Sequence, residues 1–208
     1  MMTRGLPRFQ YTARDVTSGM LFLGFAQDLS GINATLFAEY LNRELSLRGA
    51  DLSRTTRQTD NGTEYIGHIF AKGQSAYTQA VQNVPGQVHA TIPPAAHTWQ
   101  SDVETIHNLM ELEFYELEHF ADRKDFLDKA YSYQMFFNFA RPNSYKENKT
   151  PWQLAREKQP DLSERIAMIP PVFIEDLMEM YLDYPPSGGH DVPSTPSTRR
   201  DHAHLLPE

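Results

Sequence analysis

The richest apolar run of the chain, Met20-Leu-Phe-Leu-Gly-Phe-Ala26, is the length of a β-strand, far short of the ~18 residues that a membrane-spanning helix takes. No other run approaches that length, so no membrane partner is expected. Residues 8–13 (Arg-Phe-Gln-Tyr-Thr-Ala) form a second strand-like stretch, and Asp15-Val-Thr-Ser-Gly19 between the two is a turn sequence. Asp and Ser bond locally to backbone there and Gly admits a positive φ. A β-hairpin is expected.

From Asn33 to Leu47 the apolar residues Leu36, Phe37, Tyr40, Leu41, Leu45 and Leu47 recur at mostly helical spacing, with Gly49 as a stop. Arg54 to Thr59 reads as a short strand running into the turn Asp60-Asn61-Gly62. A helix near Ala76–Gln82, a strand at Gln87–Ile92 and a loop from Pro93 to about Ser101 follow. The strongest helical stripe is Val103, Ile106, Met110, Phe114, Leu117 and Phe120, with Asp102 as its N-cap. Arg123 to Phe139 supplies another helix with Phe126, Ala130, Tyr133 and Phe137 on one face, and shorter helices are expected at Pro151–Lys158 and Val172–Tyr181. Strands alternating with helices in this order predict an α/β fold with a mixed sheet. The expected organisation is a core over 1–122, a helical extension over 123–184 and, where Pro, Ser, Thr, Gly and His replace apolar residues, a disordered tail over 185–208.

Charge and cysteine content narrow the chemistry. The chain has 208 residues, no Cys and a net charge of −8, which excludes disulfides, thiolate metal sites and cysteine nucleophiles. Residues 1–101 carry +1 and residues 102–208 carry −9, the opposite of the basic surface that a strong stand-alone DNA binder presents. The segment Met1 to Pro7 has no apolar core of a secretory signal, so a cytoplasmic location is expected.

The feature that points to chemistry is Gln58-Thr59-Asp60-Asn61-Gly62-Thr63-Glu64-Tyr65. A carboxylate at the C-terminal end of a strand projects into the crevice where α/β sheets bind ligands. For a lone Asp-Asn-Gly, an Asx turn without a catalytic role is the favoured account of Asp60, and it is a second carboxylate that raises the catalytic reading. The second carboxylate is Glu104, in the first turn of the acidic helix. Oxygen ligands held close together suit Mg²⁺ or Mn²⁺, ions that stabilise attacking and leaving oxygens in phosphodiester chemistry.

Tyr11-Thr-Ala-Arg-Asp-Val-Thr-Ser-Gly19, Gln58 to Tyr65 and Asp102-Val-Glu-Thr-Ile-His107 together resemble the catalytic core of the DDE integrases and transposases, which have an RNase H-like fold. The resemblance implies that Asp60 is the second catalytic and metal-binding acid and Glu104 the third, with Mg²⁺ or Mn²⁺ as cofactor. It further implies DNA as partner, both mobile-element ends and target, and a homo-oligomer. Phe136-Phe-Asn-Phe-Ala-Arg-Pro-Asn-Ser144 and Lys149-Thr-Pro-Trp152 are similar to segments that follow the core in many bacterial members. In that stretch Arg141, Lys146 and Lys149 are the candidates for touching a DNA backbone.

The sequence also departs from the family pattern. The first catalytic Asp lies on a central strand preceding the one at 8–13, and none of the seven residues Met1 to Pro7 is acidic. Asp15 matches a turn position instead. Residues 102–122 hold seven acids and no Lys or Arg, which repels phosphate on that face. The expectation is therefore a shortened integrase-type core, incomplete for DNA strand cleavage and transfer, or an open reading frame whose start is placed too far downstream. The alternatives are a non-catalytic remnant acting as an interaction or DNA-binding fragment, and an RNase H-like nuclease of another branch.

Overall fold

A computed structural model of the chain describes residues 5–67, 73–92 and 101–183. The chain opens with the expected hairpin, β1 (Phe9–Arg14) antiparallel to β2 (Leu21–Ala26). Its turn is tied by Asp15, whose carboxylate accepts from the Ser18 amide at 2.8 Å and from the Ser18 hydroxyl. Asp15 is thus a turn residue. After it come α1 (Gly31–Leu47), β3 (Thr56–Thr59), a single turn α2 (Thr63–Ile66), α3 (Ala76–Gln82), β4 (Val88–Thr91) and α4 (Ser101–Met110). The last part is α5 (Arg123–Phe139), α6 (Pro151–Lys158), a two-residue strand β5 (Val172–Phe173) and α7 (Ile174–Asp183). The fold is mixed α/β. No helix among the described residues is long and apolar enough to cross a membrane.

β2 organises the core, and all six of its residues are buried. Successive side chains leave a strand on opposite faces. Leu21, Leu23 and Phe25 pack with Ile106 and Met110 of α4, with Phe126, Ala130 and Phe137 of α5, and with Phe173. On the other face Phe22 and Ala26 join Phe37, Ala38 and Leu41 of α1 and Ile174 and Leu177 of α7. Gly24 brings α1 directly onto the strand: a Cβ there would stand 2.7 Å from the Phe37 ring.

β2 has a helix for part of its second neighbour. Asp15 donates to Met20 O, so with the register Arg14↔Leu21 to Phe9↔Ala26 alternate residues bond to β1, and Leu21, Leu23 and Phe25 face the opposite edge. β5 pairs there only with Gly24 and Phe25. Beyond it, two fully buried amides of α5 stand in for a strand. Gln134 Oε1 accepts from Leu23 N at 3.1 Å, and Asn138 Oδ1 accepts from Leu21 N at 2.8 Å. Asn138 Nδ2 returns a bond to Leu21 O at 3.0 Å and donates to Ala167 O at 3.0 Å, while Gln134 Nε2 donates to Ile169 O at 2.6 Å. These bonds satisfy backbone groups that water cannot reach.

The expected single mixed sheet is divided. β1, β2 and β5 form one sheet, and β3 and β4 pair in parallel as a second. Both β1 and β3 are edges, with no strand joining them among the described residues. α1 spans the two: Phe37 lies on Tyr11 and Gly24, and Asn42 Oδ1 accepts from Arg57 Nη2 of β3 at 2.6 Å.

Two further readings are corrected. α4 begins at Ser101, so Asp102 lies inside the helix rather than capping it. The stripe that follows keeps Ile106, Met110 and Phe114 buried but leaves Leu117 75% exposed. The helical run ends in a π-helical turn over Glu111–Tyr115, so Leu117 lies past its end, where the 3.6-residue face no longer applies. The Pro93–Ser101 loop falls almost wholly, and the 185–208 tail entirely, outside the described residues.

Candidate active site

Asp60 immediately follows β3, where the turn to α2 begins. Its Oδ1 accepts from Gly62 N at 2.9 Å, an Asx turn, and the Glu64 carboxyl folds back against the Gly62 Cα. Asn61 Nδ2 donates to Ile92 O at 2.9 Å, which ties the turn to the end of β4. Beneath it, His89 of β4 joins the strand pair to α3. Its Nε2 lies 2.8 Å from Thr59 Oγ1 and its Nδ1 2.7 Å from Thr78 Oγ1. Burial holds the imidazole below its ordinary pKa, so it is neutral at pH 7. Arg57, aimed to the same side as Thr59, bonds Asn42 and Tyr77. Asp60 therefore sits on an anchored turn, with Oδ2 making no hydrogen bond among the described residues.

Glu104 is an exposed residue in the first turn of α4. His107, one turn further, reaches back to β1, its Nε2 3.2 Å from Thr12 Oγ1. Burial lowers its pKa and the Glu104 charge opposes that shift. Tyr115 donates to Gln10 Oε1 at 2.7 Å, so α4 and its π turn lie along the side of β1 that carries Gln10 and Thr12. Among the described residues, Asp60 and Glu104 make no hydrogen bond or ion pair with each other. No group of three or more His, Asp or Glu residues among them could hold a metal ion. Two carboxylates, one half-occupied by a backbone amide, offer a divalent ion few protein ligands. Mg²⁺ keeps several waters in its octahedral shell and is held through one or two carboxylates plus substrate phosphate.

The three expected DNA-contacting cations divide. Arg141 makes a two-pronged pair with Glu113, Nη2 to Oε1 at 2.7 Å and Nε to Oε2 at 3.0 Å. The Glu113 carboxyl is held below the usual range by that bond. Lys149 is spent on Glu147 and Glu157 at 2.8 and 2.9 Å. Lys146 donates to the carbonyls of Val16 and Thr17 at 3.1 and 2.8 Å and has no carboxylate partner among the described residues. Arg141 and Lys146 line a cleft of about 420 Å³ together with Arg14, Thr105, Tyr145 and others, with three basic residues and no acidic one among the described lining residues. Arg14, Thr105 and Tyr145 were not singled out from the sequence. The cleft exists because the β-hairpin turn meets a loop some 130 positions later, and no local pattern records that meeting.

No protein-family model and no curated protein matches the sequence. The fold is similar to that of a chain in the cryo-EM structure of the simian T-cell lymphotropic virus intasome in complex with PP2A regulatory subunit B56 gamma. The TM-score is 0.50 at 16% identity, over 70% of this chain and 47% of that one. The present chain thus spans about half the length of that structural neighbour, and the likeness is one of fold alone.

Proposed function

We propose that the chain is an integrase-type core of the RNase H-like class that binds DNA but does not by itself complete metal-dependent strand cleavage and transfer. The observation that carries this reading is the placement of two acids: Asp60 on an anchored turn at the end of β3, and Glu104 exposed in the first turn of α4. A strand end and a helix start are where such folds present carboxylates to a phosphodiester and its Mg²⁺ or Mn²⁺. Among the described residues no strand joins β1 to β3, so Asp60 and Glu104 are the cation-holding pair on which this reading rests. Lys146 and Arg141 are the residues that would face the DNA backbone, and Lys149, neutralised by two glutamates, is the weakest of the three candidates. Assembly into a homo-oligomer belongs to the same reading.

The test is nicking and strand transfer on mobile-element-end DNA with Mg²⁺ or Mn²⁺, comparing the wild type with Asp60→Asn and Glu104→Gln. The expected result is no turnover above background for any of the three. Wild-type activity that both substitutions abolish would overturn the claim of incompleteness and leave a competent recombinase.

A further inference from the structure

A chain of side chains runs beside the turn that carries Asp60 and ends on a backbone carbonyl at each side of it. At one end Thr59 Oγ1 lies 3.1 Å from Asp60 O. His89 Nε2 is 2.8 Å from the same hydroxyl, and His89 Nδ1 is 2.7 Å from Thr78 Oγ1. Thr78 Oγ1 is 2.9 Å from Ser75 Oγ, which in turn lies 2.5 Å from Tyr65 O. Asp60 precedes the single turn α2 and Tyr65 lies within it. The chain therefore ties both ends of one short segment to β4 and α3.

With a neutral imidazole the chain is one hydrogen short. Its five links end on carbonyl oxygens, which only accept. The hydroxyls of Thr59, Thr78 and Ser75 supply one hydrogen each and a neutral ring supplies one more, four hydrogens for five links. With the ring hydrogen on Nε2, His89 serves Thr59 and Asp60 O, Thr78 turns its hydroxyl to Nδ1, and nothing lies between Thr78 and Ser75. With it on Nδ1, His89 serves Thr78, Ser75 and Tyr65 O, and Thr59 reaches either the ring or Asp60 O but not both. An imidazolium donates from both nitrogens, and the fifth hydrogen completes every link, running outward from the ring to both carbonyls. Thr78 N also donates to Ser75 Oγ, at 3.1 Å, without competing, because a hydroxyl oxygen has two lone pairs.

The surroundings decide when that proton arrives. β3 sets Arg57 opposite His89 in the register, its guanidinium turned to Asn42 and Tyr77. α3 sets the Tyr77 ring edge-on to the imidazole with centroids 4.9 Å apart, and Tyr65 of α2 packs on Tyr77 at 5.0 Å. Asp60 and Glu64 belong to the turn, their carboxyl groups lie against Gly62, and neither bonds to the ring among the described residues. Burial holds the ring below the ordinary value of 6.5, so it is neutral at pH 7 and gains its proton only below that value.

We propose that His89 is a proton-operated clasp on the Asp60 turn: proton uptake completes the chain from Asp60 O to Tyr65 O, so the segment between them is tied at both ends in acid and incompletely at neutral pH. Each bond of such a chain polarises the next, and the two that leave an imidazolium are charge-assisted. The clasp goes beyond the proposed function and is independent of whether Asp60 and Glu104 hold a cation.

The test is NMR of the full chain carrying Asp60→Asn, without divalent cations, so that titration of that carboxyl does not contribute. Ring ¹⁵N signals of His89, identified by their loss in His89→Gln, give its midpoint, and the carbonyl ¹³C signals of position 60 and Tyr65 report hydrogen-bond acceptance. Both carbonyls are expected to shift with the His89 midpoint, below 6.5. Thr78→Val cuts the arm to Tyr65 and should leave position 60 alone following His89, and Thr59→Val should do the reverse. A carbonyl that ignores the His89 midpoint while Thr59 and Thr78 are intact overturns the proposal, a result that stands even where a valine variant fails to fold. Both carbonyls still following His89 in a folded valine variant overturns it as well. So does a ring that stays neutral down to the pH at which circular dichroism shows the fold lost.

Discussion

Asn138 offers the sharpest probe of how this chain holds its central strand. Its side chain is fully buried and makes three bonds: from Leu21 N at 2.8 Å, and to Leu21 O and Ala167 O at 3.0 Å each. Leu21 faces away from β1 in the hairpin register, so no ladder bond replaces them. Asn138→Ala would orphan one N–H and two carbonyls in a dry interior. A buried unsatisfied group costs about 1–3 kcal/mol; taking the amide mid-range and each carbonyl at the low end gives a loss of about 4 kcal/mol. For a chain of this size 1 kcal/mol moves Tm by about 2–4 °C, so the expected fall is roughly 8–16 °C. Urea denaturation followed by far-UV circular dichroism measures it, with Asn138→Leu as the companion that keeps side-chain volume. Both variants should lose several kcal/mol, because filling space does not restore the bonds. A loss below about 1 kcal/mol in both would refute the view that α5 amides serve as a strand edge for β2.

Two further outcomes follow from the packing and the charges. Gly24→Ala sets a methyl 2.7 Å from the Phe37 ring and 3.2 Å from Ile174 Cδ1, an overpacking expected to cost about 1–3 kcal/mol in the same denaturation assay. Glu113, whose folded pKa is lowered first by its bond to Arg141, contributes stability that is present above the ordinary Glu pKa, about 4.3. That stability is lost as pH falls through the lower folded value. Glu113→Gln should therefore be less stable than wild type at pH 7 and show a shallower loss in acid, read as Tm against pH.

What the sequence carries locally, it announces. α3, α5 and α6 sit where their spacing places them, because Ser75, Asp122 and Thr150 cap them with side-chain bonds to Thr78, Asp125 and Gln153. The hairpin is equally plain, since Asp15 and Gly19 at its turn and the apolar β2 all point the same way. What depends on distant partners is hidden. β5 is two residues long and exists only through β2, and Gln134 and Asn138 read as ordinary helix amides until β2, more than 100 positions earlier, lies beside them. The π turn that ends this helix before Leu117 leaves no mark on a 3.6-residue pattern. At the candidate site, the strand-end placement of Asp60 is legible from its turn residues. Its relation to Glu104 is not, because it depends on how β3 and α4 stand against each other across a sheet that is divided at β1 and β3.

Isothermal calorimetry of the full chain with Mn²⁺, repeated with Asp60→Asn and Glu104→Gln, tests most directly whether this core is short of a cation-holding acid. The expected wild-type result is a single weak site or no saturable heat, and either substitution should erase whatever binding there is. Tight saturation at two ions per chain, lost in both variants, would contradict the reading and mark a complete two-metal centre.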